Sequence, residues 1–241
     1  MTTTAVTTII FDLDGTLINE DQVLRAQTDV TAAIFGESDA DREQVLQAFF
    51  AINSEVSRNK EDESRKGDIA WYLEQVGIRL EKPVTRDEAE KLAIAWKAAY
   101  KEATAAMQLY PESINVLQEL RDQEYKLILA TGGGSKKQQV ISSLELDQYF
   151  PTVYFAAEVG YQKQDWRFWE RLFVKEEIDP RQTFVVGNQV NDDVQCPALL
   201  GCQTCLVARS NELQKIDAQA YTGASPIHTV RSLTDILSLL S

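Results

Sequence analysis

The sequence has little of what several common kinds of functional site require. Among its 241 residues there is one histidine, His228, and there are three cysteines, Cys196, Cys202 and Cys205. The Cys202-x-x-Cys205 pair could be half of a zinc site or a redox pair. No second pair is present, so a closed four-ligand zinc site lacks ligands. We therefore expect Cys202 and Cys205 to be core positions in or beside a strand, in a reduced protein of the cytoplasm.

Positive charge and long apolar runs are also scarce. The 24 Lys and Arg residues face 37 Asp and Glu residues, which gives a formal net charge of -13. So acidic a surface repels nucleic-acid phosphates and anionic membranes, and no apolar run approaches the ~18 residues needed to span a bilayer. These features argue against a nucleic-acid or membrane partner. A small anionic substrate stays possible, because a metal ion and a few buried cations can reverse the potential locally.

Strand-like and helix-like segments alternate over most of the chain. The β-branched run Val6–Phe11 stops at the acidic sequence D-L-D-G-T, and similar runs stop at Thr131 and Gly187. Such alternation predicts a parallel sheet with right-handed crossovers, whose ligands bind at the carboxyl ends of the strands. Three polar clusters therefore converge on one predicted edge. The other predicted strands are Lys126–Ala130, Thr152–Phe155, Thr183–Val186 and Thr204–Val207, and the predicted helices between them are Ser113–Arg121, Lys137–Leu144, Trp166–Lys175 and Val194–Leu200.

The segment from about Ile18 to Tyr110 has a different sequence pattern. It contains no strand-like runs. Its predicted elements are amphipathic or charged helices, namely Asp41–Val56, Asp68–Gln75 and Arg86–Met107. We therefore predict an α/β fold in which a Rossmann-like core, residues 1–17 and 111–241, carries an inserted all-helical cap at 18–110. Pro111 suits the first turn of the helix that follows the return to the core.

Asp12 and Asp14 follow the first predicted strand, two residues apart. If strand geometry persists, both side chains point to the same side. Two crowded carboxylates repel each other unless a cation or a shared proton is present, and oxygen ligands of this kind select a hard ion such as Mg²⁺. One carboxylate can then attack phosphorus while the other handles the leaving-group proton.

The run Phe11-Asp-Leu-Asp-Gly-Thr-Leu17 resembles the first motif of the haloacid dehalogenase superfamily. The resemblance implies that Asp12 is a nucleophile that forms an aspartyl-phosphate. It also implies that Asp14 is the general acid/base and that its backbone carbonyl binds Mg²⁺. Thr131 in Leu-Ala-Thr-Gly resembles the second motif, and its hydroxyl together with backbone N–H groups at Gly132 would hold a phosphate oxygen.

The third motif resembles the run Gly160–Phe168, in which Gln164 and Trp166 stand where the usual pattern has proline. The lysine of the pattern is kept as Lys163. By the resemblance, Lys163 neutralises Asp12 and the transferring phosphoryl group, a role that suits a point charge.

The fourth motif resembles residues 186–194, Val-Gly-Asn-Gln-Val-Asn-Asp-Asp-Val. Family members usually carry Asp after the glycine as a metal ligand, and here the residue is Asn188. The later acidic position is kept at Asp193. The implied Mg²⁺ ligands are therefore Asp12, the Asp14 carbonyl, Asn188 and Asp193. An amide oxygen can ligate Mg²⁺, but the site loses a formal charge.

Together these motifs predict the Mg²⁺-dependent hydrolysis of a small phosphorylated metabolite, a phosphate monoester. Asp14 argues against a true dehalogenase, because halide displacement needs no leaving-group acid. Two alternatives stay open. A phosphomutase would share the core and differ in the group that accepts the phosphoryl group, whereas a non-enzymatic binding protein is favoured only by Asn188.

Overall fold

The computed structural model describes residues 5–19, 67–209 and 227–240, together with residue 65 and scattered positions within 26–56. The chain divides into two compact units, residues 1–19 with 108–241 and residues 20–107. The predicted helix Asp41–Val56 falls partly outside the described residues, and its described positions are helical. No helix in the described ranges is long and apolar enough to cross a membrane.

A six-stranded parallel sheet forms the core of the larger unit. The described strands are, in chain order, β1 (Thr8–Phe11), β2 (Ile18–Asn19), β3 (Gln108–Leu109), β4 (Lys126–Thr131), β5 (Val153–Phe155), β6 (Thr183–Gly187), β7 (Gln203–Val207) and β8 (Ile227–Val230). The sheet order is β5-β4-β1-β6-β7-β8, and every pair in it is parallel. The predicted fold class is confirmed.

β1 lies at the centre of the sheet, between β4 and β6, and all four of its residues are buried. A strand in that position needs a continuous apolar, β-branched run, which is what Thr8–Phe11 supplies. β8 was not predicted. Its four residues include His228, and it follows a stretch without a strand pattern.

The helices that the structure describes connect these strands or form the smaller unit. In chain order they are α1 (Ile69–Arg79), α2 (Arg86–Ala105), α3 (Ser113–Asp122), α4 (Gln138–Ser143), α5 (Ala156–Val159), α6 (Trp166–Glu176), α7 (Cys196–Leu199) and α8 (Leu237–Leu240). One turn of π-helix, Val190–Gln195, precedes α7 where the sequence predicts a regular helix from Val194. Single π-turns of this kind are frequent at functional sites.

The smaller unit has its own apolar core, built around α1 and α2. Leu73, Val76 and Trp96 are buried in it, and the Trp96 ring stacks on Tyr100 with 5.5 Å between ring centroids. α2 begins with a capping box, in which Thr85 accepts from the backbone of Glu88 and the Glu88 side chain accepts from Thr85. Such a box satisfies two backbone donors of the first turn.

β2 and β3 pair antiparallel at the two ends of the inserted segment, with Ile18 opposite Leu109 and Asn19 opposite Gln108. Residues 18–19 and 108–110 were predicted to lie in the inserted segment, whereas both strands belong to the larger unit. Strands of two residues are too short to produce a periodic pattern, and for that reason the sequence does not reveal them.

Candidate active site

Asp12 lies directly after β1, at the carboxyl edge of the sheet, and its backbone N–H donates to Val186 O on β6 at 2.9 Å. The chain then turns sharply. Gly15 has φ +73°, a conformation that favours glycine, and its N–H donates to Ile18 O at 2.9 Å. This turn brings Thr16 back, so that its hydroxyl donates to Asp12 Oδ2 at 3.2 Å.

Lys163 is the buried cation of the site, with 3% of its surface exposed. Its Nζ donates to Asp12 Oδ1 at 2.6 Å and to Ala130 O at 3.0 Å, and it forms an ion pair with Asp193 Oδ1. An ammonium group has three N–H donors; two of them go to Asp12 and Ala130, and the third contact is the ion pair with Asp193. A substrate phosphate would have to displace one acceptor to reach Lys163.

The electrostatics of the site follow from burying several carboxylates together. Burial raises the pKa of Asp12 to about 6, Lys163 opposes the rise, and the charges of Asp193 and Asp14 add to it. Burial also raises the pKa of Asp193 and of Asp192. The pKa of Lys163 is lowered by burial but raised more by Asp12 and Asp193, so it ends above its usual range. Negative charge in this cluster exceeds the charge of its one buried ammonium.

Thr131 ends β4 beside the other motif carboxylate. Its Oγ1 lies 3.4 Å from Asp14 Oδ2 and 3.3 Å from Gly132 O. Lys137 also reaches this point, donating to Thr131 Oγ1 at 3.1 Å and pairing with Asp14 Oδ2. Lys137 was not among the residues predicted from the sequence. The available signal was a lysine shortly after Thr131 in the run G-G-G-S-K-K, where glycines let the chain fold back.

Gly187 ends β6, and the carboxylate of Asp193 lies directly over it. A Cβ added at position 187 would overlap the side chain of Asp193. Asp193 is fully buried, and its Oδ2 accepts from the backbone N–H of Gln189 at 2.9 Å. The half-buried Asn188 directly follows β6, the strand that pairs with β1 ahead of Asp12. The structure thus gathers Asp12, Lys163 and Asp193 in one cluster and Asp14 and Thr131 in another.

Two side chains outside the motifs hold the motif backbone in place. The indole N–H of the buried Trp169 donates to Lys163 O at 2.6 Å. Arg209, which follows β7, donates to Thr16 O at 3.0 Å and pairs with Glu112 at 2.6 Å, and its guanidinium lies 3.5 Å from the ring centroid of Tyr110. Both contacts restrain loops that carry the predicted site residues.

Among the described residues, no three His, Cys, Asp or Glu side chains form a group that could hold a metal ion. The predicted ligand set does not need such a group, since only Asp12 and Asp193 contribute side-chain carboxylates. The other ligands are the Asp14 carbonyl and the Asn188 amide oxygen. An all-oxygen set is the chemistry that Mg²⁺ prefers, and the excess negative charge around Asp12 favours a bound cation.

The predicted cysteine positions are confirmed as core. Cys202 and Cys205 are fully buried, Cys205 within β7, and all three cysteines are free. Burial raises the pKa of Cys196 to about 11 and that of Cys205 to about 12. Thiols with such raised pKa values are poor nucleophiles and poor metal ligands.

The haloacid dehalogenase-like hydrolases match this chain over residues 6–201. The chain belongs to that family. The predicted family is thereby confirmed, and the protein is a hydrolase by family.

Curated relatives of the chain carry phosphatase names. Pyrophosphatase PpaX of Bacillus thuringiensis is 22% identical over 238 residues, 98% of this chain and 97% of the relative. Glyceraldehyde 3-phosphate phosphatase of Methanopyrus kandleri is 23% identical over 207 residues, 83% of each chain. Phosphoglycolate phosphatase 1 of Pseudomonas aeruginosa is 25% identical over 199 residues, 79% of this chain and 68% of the relative. The match to the Methanothermobacter thermautotrophicus glyceraldehyde 3-phosphate phosphatase, 25% identical, spans 46% of that protein and 43% of this chain.

Solved structures of the family share the fold over nearly the full chain. The HAD-hydrolase YfnB of Bacillus subtilis, bound to magnesium, has a TM-score of 0.74 at 15% identity and covers 99% of this chain and 100% of its own. The L-2-haloacid dehalogenase RSc1362 has a TM-score of 0.70 at 17% identity, covering 98% and 99%. Because a dehalogenase shares this fold, the reaction has to be argued from the site.

Proposed function

We propose that this protein is a Mg²⁺-dependent phosphatase that hydrolyses a small phosphate monoester through a phospho-Asp12 intermediate. The observation that carries the proposal is the pairing at the sheet edge, where Asp12 contacts Lys163 and Asp14 contacts Lys137. Two carboxylates held in different environments can take different roles in one reaction.

Asp12 is the nucleophile of the proposed reaction. Lys163 and the Thr16 hydroxyl each bind one of its oxygens, which fixes the carboxylate and favours its ionised form. Attack of an Asp12 oxygen on phosphorus forms the acyl phosphate and breaks the bond to the ester oxygen. Water then attacks the same phosphorus and releases inorganic phosphate and the free Asp12 carboxylate.

Asp14 handles the protons. It donates one to the leaving ester oxygen in the first step and takes one from the attacking water in the second. The requirement for such an acid distinguishes a phosphate ester from an alkyl halide, so Asp14 favours phosphatase chemistry. The phosphatase names of the relatives agree with this assignment.

The Thr131 hydroxyl and the Gly132 N–H hold a phosphate oxygen at the end of β4. Mg²⁺, when bound, neutralises charge on the phosphoryl oxygens. Asp12, the Asp14 carbonyl and the Asn188 amide oxygen would hold it. We assign Asp193, also predicted as a ligand, to holding Lys163, because its Oδ1 forms an ion pair with Lys163 and its Oδ2 accepts from the backbone N–H of Gln189.

We place the reaction in the reducing cytoplasm, where the three free cysteines stay reduced.

The alternative of a phosphomutase would be recognised by a bisphosphate intermediate in NMR spectra of a sugar-phosphate reaction. The non-enzymatic alternative is opposed by the intact contacts of Asp12, Asp14, Thr131 and Lys163.

A panel of phosphorylated metabolites, assayed with and without Mg²⁺, tests the proposal. The panel includes 2-phosphoglycolate, pyrophosphate and glyceraldehyde 3-phosphate. We expect turnover that requires Mg²⁺, none in Asp12→Asn, and a loss of roughly a hundredfold or more in Asp14→Asn, the usual worth of general acid–base catalysis. Near-normal turnover in Asp12→Asn would show that another residue is the nucleophile.

A further inference from the structure

Lys137 lies outside the four motifs, yet it contacts two residues of the proposed site. Its Nζ donates to Thr131 Oγ1 at 3.1 Å and pairs with Asp14 Oδ2. Its side chain is 29% exposed, so solvent and ligands can reach it. Among the described residues its ammonium has these two partners, which leaves one N–H donor for a ligand.

The backbone before Lys137 is shaped to bring this side chain back to the sheet edge. Gly133 has φ +79°, and a Cβ there would come to 3.4 Å from Lys137 Cε. The glycine loop is fixed at its middle, since Ala157 N–H donates to Gly133 O at 2.8 Å. The N–H of Lys137 in turn donates to Gly134 O at 3.1 Å. The conformation of this loop therefore fixes the position of the Lys137 ammonium.

The two lysines of the site differ in what they can offer a substrate. Lys163 is buried, donates to Asp12 and Ala130 and forms an ion pair with Asp193. Lys137 is partly exposed and lies against Asp14, the residue assigned to protonate the leaving ester oxygen. A group bonded one or two atoms away from that oxygen would come within reach of the Lys137 ammonium.

We propose that Lys137 determines specificity by binding a second anionic group on the leaving-group side of the substrate. The preferred substrates are then phosphate esters or anhydrides with a carboxylate or a second phosphate one or two atoms from the leaving oxygen. The inference rests on the proposed function, because it depends on the assignment of Asp14 to the leaving group. A compact ammonium is suited to such an oxyanion, which it recognises as a point charge.

The test compares 2-phosphoglycolate with ethyl phosphate, whose leaving group lacks the carboxylate. Each variant's kcat/KM is divided by the wild-type value for the same substrate, so that intrinsic differences between the esters cancel. We expect Lys137→Met to lose at least about tenfold more with 2-phosphoglycolate than with ethyl phosphate, the scale of one charge-assisted hydrogen bond. Lys137→Arg, which keeps the charge, should retain most of the preference.

Lys126→Met is the matched control. Lys126 begins the strand that Thr131 ends, and it pairs with Glu176 at 2.8 Å, away from the carboxyl edge. This variant removes the same charge and should leave the ratio of the two substrates unchanged. Equal losses with both substrates in Lys137→Met would overturn the proposal, because they would place Lys137 on the transferring phosphoryl group or in a structural role.

A failure of the proposed function can be told apart from a failure of this inference. If the wild-type protein hydrolyses neither ester, the proposed function fails, and 2-phosphoglycolate and inorganic phosphate are instead titrated by calorimetry into wild type and Lys137→Met with Mg²⁺. We expect the variant to bind 2-phosphoglycolate at least about tenfold more weakly and inorganic phosphate equally well. Equal binding of 2-phosphoglycolate, or no binding to either protein, would overturn the inference.

Discussion

At the scale of single residues, the ionisation of Asp12 controls whether the proposed nucleophile can act. A carboxyl group whose pKa is about 6 is largely protonated at pH 5 and cannot attack. Burial raises this pKa and Lys163 opposes the rise, so the ion pair extends the active range to lower pH. The acid side of a kcat/KM profile reports such a group in the free enzyme.

Replacing Lys163 tests this balance. In Lys163→Met the effect of burial on Asp12 is no longer opposed by the ammonium, so the pKa of Asp12 rises further and the acid limb of kcat/KM moves to higher pH. The variant should also lose about 3–5 kcal/mol of stability, since it leaves buried carboxylates without their partner. Profiles of kcat/KM at one fixed, subsaturating Mg²⁺ concentration and urea unfolding measure the two effects, with Lys126→Met as the control. An unmoved acid limb would mean that Asp12 is not the titrating group.

Asn188 is the residue at which the site departs from the usual family pattern. An amide oxygen offers Mg²⁺ only a dipole, and Asn188→Asp adds a full charge at the same reach. In a partly dehydrated site that charge contributes on the order of 1–3 kcal/mol, roughly a tenfold or larger gain in apparent Mg²⁺ affinity. The rate at saturating Mg²⁺ should rise little, because the added charge also repels phosphate. Superimposable Mg²⁺ titrations of wild type and variant would show that position 188 does not touch the metal.

At the scale of elements, the turn after β6 depends on the absence of a side chain at Gly187. A Cβ there would overlap Asp193, so Gly187→Ala must displace the carboxylate that holds Lys163. We expect a loss of about 1–3 kcal/mol from overpacking, together with reduced turnover. Gly132→Ala is the matched control, since its Cβ meets nothing within 4 Å. Urea unfolding of both variants measures the difference, and equal stabilities would contradict the packing that we describe.

Much of the sheet and of the site could be predicted because the relevant signals are local. Asp12, Thr131 and Gly187 each stand at the end of an apolar run, and the parallel order of the strands brings them to one edge. Lys137 was not predictable in the same way, because a lysine after three glycines has no period and is usually solvated. Its contact with Asp14 is set by the path of the glycine loop, which the sequence does not specify. The strands β2 and β3 could not be predicted either, because two residues are too few to produce a periodic pattern.

At the scale of the whole molecule, the pairing of Asn19 with Gln108 brings together the two ends of the segment 20–107. A two-residue Asn-Gly turn should therefore close the larger unit in place of this segment, since such turns join antiparallel strands. We expect a folded α/β core that keeps its affinity for phosphate and the anionic preference assigned to Lys137. It should lose discrimination among substrates of different size, which we assign to the helical unit. Circular dichroism and kcat/KM over the panel check this. An unchanged substrate ranking would place all specificity in the core.

The central claim is that Asp12 carries the phosphoryl group during turnover. The most direct measurement is a rapid acid quench of the wild-type protein with substrate and Mg²⁺, followed by peptide mass spectrometry of the segment that contains Asp12 and Asp14. We expect the added mass of one phosphoryl group on Asp12 and its absence in Asp12→Asn. Asp14→Asn should still form some of the adduct with a substrate whose leaving group needs no proton, and should release it slowly, because Asp14 also activates the water. Turnover with no adduct on Asp12, or an adduct on another residue, would show that Asp12 is not the nucleophile.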